Sequence, residues 1–226
     1  MITLEDVSLQ VTRASGFWRR DAYKLLDNIN FSVSGGTVSL LVGGSASGKT
    51  LLARGLLRIL PDDVRMTGTY HAKGPRAYLP QARSHLDPLA PVARQITRAG
   101  LPDAGLPFSG RYPHQISGGE AKRALMAMMP DAASVIADEP TAGLDPAAAR
   151  IVMSELAARA KDGAAVLVIT HDLMTTLPFA QEVLLLDQGR LAAHHATAAF
   201  TADGAALSPA ARRYWRALPE NGFHAD

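Results

Sequence analysis

Two kinds of hydrophobic pattern alternate along this chain. Apolar and polar positions alternate over residues 2–11 and 29–33, which predicts strands of an antiparallel sheet with one buried face. The runs at 38–42, 134–137 and 164–170 are instead almost continuously apolar, as in parallel strands that are covered on both faces. The chain is therefore predicted to have an α/β fold with an added antiparallel β region.

Other segments predict helices and hairpins. Residues 146–161 begin with proline, which favours the first turn of a helix, and residues 209–217 also have helical character. Residues 183–191 hold a Gln-Gly turn between apolar positions and predict a hairpin. The segments 67–70 and 77–79 are interpreted as the two strands of another short hairpin.

A change of composition suggests how the chain is divided. Residues 82–130 are rich in proline, alanine and arginine and carry only short helical patterns. We interpret them as a helical subdomain inserted into a single domain. Residues 1–81 and 131–226 then form the core, together with the antiparallel β subdomain.

Composition excludes several classes of function. With 23 basic and 21 acidic residues among 226, the net charge of +2 predicts no nucleic-acid partner. The absence of cysteine excludes disulfides, thiolate metal sites and cysteine-ligated iron–sulfur clusters. No apolar run approaches the length of a membrane span, and residues 1–6 lack the features of a signal peptide. We expect a cytoplasmic protein that reaches any membrane through a partner.

The loop after the apolar run 38–42 has a phosphate-binding sequence, G-x-x-x-x-G-K-[ST], and consists of Gly43, Gly44, Ser45, Ala46, Ser47, Gly48, Lys49 and Thr50. Backbone N–H groups of such a loop, and of the helix that follows it, point at phosphate oxygens. The Lys49 ammonium is expected to reach the β- and γ-phosphates, and the Thr50 hydroxyl to bind Mg²⁺. Leu51 completes the predicted nucleotide-binding set. The chain is therefore predicted to bind a nucleoside triphosphate.

Carboxylates and a histidine follow two of the apolar runs. Asp138 and Glu139 end the run that begins at residue 134, and in a P-loop protein the first carboxylate organises Mg²⁺. The second can polarise the attacking water as a general base. His171 follows the run 164–170. A histidine after a strand is more often structural, but the carboxyl edge of a phosphate-binding sheet favours a functional role.

Ser117 begins a further helix-favouring segment. It is a good N-cap, and Glu120 lies three residues later, the spacing of a capping box. Gly118 and Gly119 in the first turn each weaken a helix by about 1 kcal/mol, so a compensating function is plausible. The alternative is a simple capped helix. Unpaired N–H groups at this helix start would form a second anion site.

Together these motifs resemble those of the ATP-binding subunits of ATP-binding cassette (ABC) transporters. The matching elements are the Walker A motif (43–50), the Q-loop (Gln81), the signature (116–120), Walker B with its catalytic glutamate (Asp138, Glu139), the D-loop (142–145) and the switch histidine (His171). The resemblance implies a RecA-like P-loop core with an antiparallel β subdomain and an inserted helical subdomain. Thirty-six positions separate Gln81 from Ser117, which is short for the family, so the helical subdomain is predicted to be trimmed.

The resemblance also implies an ATPase with ATP and Mg²⁺ as cofactors. The implied catalytic residues are Glu139, His171 and Gln81, and the implied Mg²⁺ contacts are Thr50, Gln81 and Asp138. Beyond the Walker A loop, the implied nucleotide contacts are Ser117, Gly118, Gly119, Glu120 and Asp145. Ala46 departs from the family, which usually has glycine there. A positive φ at Ala46 would cost about 1–2 kcal/mol.

The residue that stacks on adenine is not identified by spacing alone. Trp18 is favoured, counting back from residues 28–31, with Phe17 and Tyr23 as alternatives.

Three further segments resemble the oligopeptide, dipeptide and nickel importer subfamily. They are Tyr112 to Gln115 before the signature, His85 to Pro88 after Gln81, and Ser208 to Tyr214. The implied function is to power an importer of peptides, nickel or a metal chelate from the cytoplasmic face of the inner membrane.

The implied partners are integral-membrane permease subunits and, indirectly, a periplasmic or extracellular substrate-binding protein. A second ABC ATPase subunit, either a sister chain or another copy, would join head to tail. Two other classes of function remain open. A non-transport ABC protein usually carries two cassettes or long insertions, which this chain lacks. The signature and His171 argue against a P-loop kinase or GTPase.

Overall fold

The computed structural model describes residues 1–14, 20–81, 85–101, 105–201 and 204–218. For residues 13, 14, 20 and 21 it describes the backbone only. These described residues form two β-sheets and six α-helices. The strands are β1 (Ile2–Ala14), β2 (Arg20–Val33), β3 (Val38–Val42), β4 (Val64–Ala72), β5 (Arg76–Leu79), β6 (Ser134–Asp138), β7 (Ala165–Ile169), β8 (Glu182–Asp187) and β9 (Arg190–Ala196). The helices are α1 (Lys49–Leu57), α2 (Val92–Arg98), α3 (Gly118–Ala127), α4 (Pro146–Lys161), α5 (Leu173–Thr176) and α6 (Pro209–Arg216).

The larger sheet has the strand order β5-β6-β7-β3-β8-β9. Its first five strands are parallel, and β9 pairs antiparallel with β8 as the predicted final hairpin. The carboxyl ends of parallel strands meet at one edge of a sheet. The P-loop, Gln81, Glu139 and His171 all follow such strand ends, so the topology gathers them at that edge.

The smaller sheet is antiparallel, with the order β2-β1-β4. The strands predicted over 2–11 and 29–33 are confirmed, but the hairpin predicted from 67–70 and 77–79 is wrong. The first segment lies in β4, which pairs with β1, whereas the second lies in β5, which pairs with β6. The reason is burial: Ala77 and Leu79 are buried in β5 and need the neighbouring parallel strand, while most of β4 is exposed as an edge strand.

The large sheet is covered on both faces, as its continuous apolar runs predict. In β7, Val166 and Val168 face a cluster that includes side chains of α2, α3, α4 and α6. Leu167 and Ile169 face a second cluster with α1 and the antiparallel sheet. Leu86, from the stretch 82–130, also packs into the first cluster. No helix in the described ranges combines the length and the apolar character that crossing a membrane requires.

Candidate functional site

The P-loop connects β3 to α1 and lies against the end of β8. Gly43 has a φ of 153°, and a Cβ there would overlap the Leu186 carbonyl oxygen. Ala46 has a φ of 61°, so an alanine occupies the left-handed region in the middle of the loop. The strain expected for a non-glycine residue, about 1–2 kcal/mol, therefore applies here.

Lys49 is held against its own loop. Its Nζ donates hydrogen bonds to the Gly43 and Gly44 carbonyl oxygens, at 2.9 and 2.8 Å, and lies 3.3 Å from Ser47 Oγ. Burial lowers the pKa of Lys49, and the charges of Glu139 and Asp138 act in the opposite direction. The ammonium and the two carboxylates thus share one electrostatic environment at the edge of the sheet.

A cavity of about 290 Å³ lies against the P-loop and is lined by residues 46–51 and by Leu25. Leu25 is an apolar side chain on β2 with 38% of its surface exposed, and sequence reasoning missed it. The signal that could have indicated Leu25 is an apolar residue at a strand position that is exposed. Trp18 and Phe17 fall outside the described residues. Tyr23 is exposed on β2 and is absent from the described lining of this cavity.

Tyr214 is a second residue that sequence reasoning did not place at the site. It lies on α6, and burial raises the pKa of its phenol. A hydrogen bond from the Gly43 backbone amide lowers the pKa of Tyr214, and the negative charge of Glu139 raises it. Both groups therefore lie close to the phenol. Helix α6 therefore brings an aromatic hydroxyl to the start of the P-loop.

Asp138, at the end of β6, has one carboxylate oxygen paired and one free. The Tyr78 hydroxyl donates to Asp138 Oδ2 at 3.3 Å, and burial raises the pKa of Tyr78 to about 12, so this donor stays protonated. Burial also raises the pKa of Asp138, and the Glu139 charge adds to this effect. Asp138 Oδ1 is buried with no hydrogen-bond partner among the described residues. Such an oxygen fits a magnesium ion or one of its water ligands.

Glu139 adopts a strained backbone conformation, with a φ of 46°. Its amide donates to the Ile169 carbonyl oxygen at 2.8 Å, which ties it to the end of β7. His171 Nδ1 lies 2.9 Å from Glu139 Oε2, but Oε2 has no hydrogen-bond partner of suitable geometry within the described part of the chain. The His171 side chain is 69% exposed. The pair therefore places a buried carboxylate oxygen, which accepts no hydrogen bond of suitable geometry in the described residues, beside an exposed imidazole.

The capping box predicted at Ser117 is present at the start of α3. The Ser117 amide donates to Glu120 Oε2 at 2.7 Å, and the Glu120 amide donates to Ser117 Oγ at 3.2 Å. The first of these bonds lowers the pKa of Glu120. Asp145 similarly caps α4 by accepting from the Ala147 and Ala148 amides. Both polar side chains therefore hold helix starts.

Close packing requires the second signature glycine. A Cβ on Gly119 would lie 2.8 Å from the Ala148 Cβ, which is fixed to the backbone of α4. A Cβ on Gly118 would lie 3.2 Å from Leu144 Cδ2, which is the end of a flexible side chain, and at an ordinary contact distance of 3.8 Å from the Gly143 carbonyl oxygen. The glycines that weaken α3 thus also allow it to approach the D-loop and α4.

We expect Gly119→Ala to lower the free energy of unfolding by about 1–2 kcal/mol, because overpacking against Ala148 exceeds the gain in helix propensity. Thermal or urea unfolding would measure this change. Gly118→Ala is the matched control, since it has the same propensity gain without a backbone clash. Equal stabilities of the two variants would contradict the packing argument.

The P-loop and the signature residue Gly118 line different cavities. Lys49, Asp138, Glu139 and His171 lie together at the edge of the sheet. Gly118 instead lines a different cavity, of about 280 Å³, with Gln81, Lys122 and residues 142–144. In the described lining of the P-loop cavity, no signature residue is present.

Known proteins are similar to this chain in sequence and in fold. The sequence profile of the ABC transporter family matches residues 26–142. The hemin import ATP-binding protein HmuV of Nocardia farcinica is 33% identical over 85% of this chain and 77% of its own length. The oligopeptide transport ATP-binding protein OppD of Mycobacterium tuberculosis is 30% identical over 83% of this chain, which spans 37% of OppD. Relatives named for different cargoes do not single out the oligopeptide, dipeptide and nickel subfamily.

A solved structure confirms the predicted fold class. The ATP-binding cassette MJ0796, in a dimeric post-hydrolysis state with ADP and Pi, superposes with a TM-score of 0.66 at 20% identity. The alignment covers 87% of this chain and 99% of that cassette. With the family match and the Walker residues gathered at one sheet edge, the conclusion is that this chain belongs to the ABC transporter family and is an ABC-type ATPase.

Proposed function

We propose that this chain binds ATP with Mg²⁺ and uses its hydrolysis to power an importer of peptides, nickel or a metal chelate. The observation that carries the hydrolytic part is the Glu139 carboxylate, whose buried Oε2 accepts no hydrogen bond in the described residues and lies beside His171 and near Lys49. The importer part rests on the subfamily-like segments and on relatives named for hemin import and oligopeptide transport.

The proposed chemistry assigns one task to each group at the sheet edge. Lys49 exchanges bonds to its own loop carbonyls for contacts with the β- and γ-phosphate oxygens. A water molecule attacks the γ-phosphorus, the bond from this phosphorus to the oxygen that bridges the β- and γ-phosphates breaks, and the Glu139 carboxylate accepts one proton of the water. His171 holds the water and the γ-phosphate in line. The products are ADP and inorganic phosphate.

Magnesium has a set of candidate ligands in this chain. The Thr50 hydroxyl at the start of α1 and the unpaired Asp138 Oδ1 are oxygen donors of the kind that Mg²⁺ prefers, and Gln81 adds an amide oxygen. The ion would neutralise charge on the β- and γ-phosphate oxygens. Leu25 lines the P-loop cavity and offers an apolar surface to the adenine ring of ATP. Trp18 is still the residue proposed to stack on adenine.

The separation of the two cavities supports a head-to-tail pair of cassettes. Because the signature helix lines a different cavity from the P-loop, a second subunit would have to bring its Ser117 side chain and its Gly118 and Gly119 amides to this chain's nucleotide. Glu120 and Asp145 support these contacts by capping the two helices. A sister ATPase and a second copy both fit this arrangement.

A permease is the proposed membrane partner, with the chain peripheral on the cytoplasmic face and linked only indirectly to a substrate-binding protein. The division into a core and a helical subdomain at 82–130 belongs to this proposal. We propose that a cytoplasmic helix of the permease docks in a groove beside Gln81, over residues 86–89. Leu86 is only 2% exposed and packs in the core, so it is unsuitable as a crosslinking site. Leu89 is 85% exposed and replaces it.

We expect Leu89→Cys, in this cysteine-free chain, to form crosslinks with a cytoplasmic helix of the permease in assembled membranes. Mass spectrometry of the crosslinked product would identify both partners. Ile59→Cys is the control, since Ile59 is also well exposed but follows α1, which packs on the other face of the large sheet from Leu86. Crosslinks that form from residues 191–226 and not from Leu89 would show that the groove is wrongly placed.

A further inference from the structure

Lys122 is a buried cation that the proposed chemistry does not use. It lies in the second turn of α3 and is only 4% exposed. Its Nζ donates to the Pro80 carbonyl oxygen at 2.7 Å and lies 3.4 Å from the Glu139 carbonyl oxygen. One ammonium group thus connects the signature helix to the residue before Gln81 and to the proposed base.

Burying this ammonium is costly, so packing alone does not explain it. Burial lowers the pKa of Lys122 to about 8, and the charges of Asp138 and Glu139 oppose that shift. An unbranched apolar side chain would fill the same volume without the desolvation cost of an amine. The amine is therefore best explained by its two acceptors.

The two carbonyl groups that Lys122 contacts belong to peptide units that position Gln81 and Glu139. The Pro80 carbonyl shares a rigid peptide plane with the Gln81 amide, so holding the oxygen orients the start of Gln81. The Glu139 carbonyl belongs to a residue with a φ of 46°, which the surrounding structure must maintain. Besides Lys122, the Ala142 amide donates to this oxygen, at 3.3 Å.

We propose that Lys122 is a positioning residue whose ammonium ties the signature helix to the backbones of Gln81 and Glu139. A displacement of α3 is thereby transmitted to the proposed base and to the Q-loop within one chain. The described lining of the P-loop cavity does not include Lys122, so the effect falls on the hydrolytic step and leaves ATP binding in place. The proposal rests on the role proposed above for Glu139.

The first experiment compares Lys122→Met with Lys161→Met. We expect Lys122→Met to lower kcat about 10- to 100-fold, the scale of a small misplacement of a catalytic group, with KM for ATP changed less than about 3-fold. Lys161 is exposed at the end of α4, and its variant should keep the original kcat. A normal kcat for Lys122→Met, or a raised KM with unchanged kcat, would overturn the proposal.

The second experiment restores only the amine. Lys122→Cys introduces a single cysteine into the chain, so it can be alkylated unfolded and then refolded. The thiolate displaces bromide from 2-bromoethylamine to give a lysine analogue, or from bromoethane to give the same side chain without the amine. We expect kcat to recover to within about 3-fold of the original only in the aminoethyl adduct, because only it can donate to both carbonyls.

The outcomes separate this role from a structural one and from the role of Glu139. Equal kcat values in the two adducts would show that the amine is not needed. If only the aminoethyl adduct refolds, Lys122 is structural and the proposal is wrong. Normal turnover in Glu139→Gln would instead refute the assignment of the base. If Lys122→Met turns over normally while Glu139→Gln is inactive, the positioning role of Lys122 is refuted and the role of Glu139 as base is not.

Discussion

Glu139→Gln is expected to keep its affinity for ATP while its turnover falls at least about 100-fold. The amide cannot accept the proton that Glu139 Oε2 would take from the attacking water, and loss of a general base has an effect of this size. The P-loop cavity is lined by other residues, so nucleotide binding should persist. Single-turnover hydrolysis and equilibrium nucleotide binding would measure the two quantities separately.

The same variant should accumulate an ATP-bound dimer, either homomeric or mixed. ATP held between the P-loop of one subunit and the signature of the other would stabilise the closed pair, and hydrolysis would remove the γ-phosphate contacts. Size-exclusion chromatography with and without ATP would show this.

The control for both experiments is Glu5→Gln, an exposed glutamate on β1 that should change neither property. Normal hydrolysis by Glu139→Gln would refute its role as base. An inactive variant that never dimerises, even with the sister subunit and permease supplied, would refute the sandwich.

Lys49→Ala is expected to remove about 3 kcal/mol of transition-state stabilisation, or about 150-fold in kcat/KM. The variant loses the charge aimed at the γ-phosphate. Its fold should be retained, because within the described residues the hydrogen bonds of Lys49 go to its own loop. Steady-state ATPase rates and thermal unfolding would test the two parts.

Lys24→Ala provides the comparison for this prediction, since Lys24 is an exposed lysine paired with Asp27 on the surface. It should hydrolyse ATP at the original rate. A folded Lys49→Ala protein with near-normal ATPase activity would show that the phosphate-binding assignment of the loop is wrong.

Local patterns were sufficient for most elements. Helix α4 runs over residues 146–161 as predicted, because its proline start and the cap at Asp145 are both local signals. An apolar run likewise predicted the buried strand β7, and a Gln-Gly turn between apolar positions predicted the hairpin of β8 and β9. The capping box at Ser117 follows from side chains only three residues apart.

Predictions that required a choice of distant partner were less reliable. Residues 67–70 and 77–79 are close in sequence, yet they belong to different sheets, because burial of Ala77 and Leu79 favours β6 as the neighbour. Leu86 lies in the segment proposed to receive the permease, yet its side chain packs into the core. Pairing and burial depend on contacts between segments far apart in the chain, which a local pattern does not encode.

The sequence by itself determined the family of this protein and the identity of its candidate phosphate-binding and carboxylate residues, because those motifs are contiguous and adjoin strand ends. Only the tertiary structure decided how they are supported: the left-handed backbone of Glu139, the approach of Gly119 to α4, the position of Leu25, and the Lys122 ammonium beneath Pro80 and Glu139. Each of these features depends on the distance between elements that fold together from remote parts of the chain, and such distances exist only once the sheets and helices have packed.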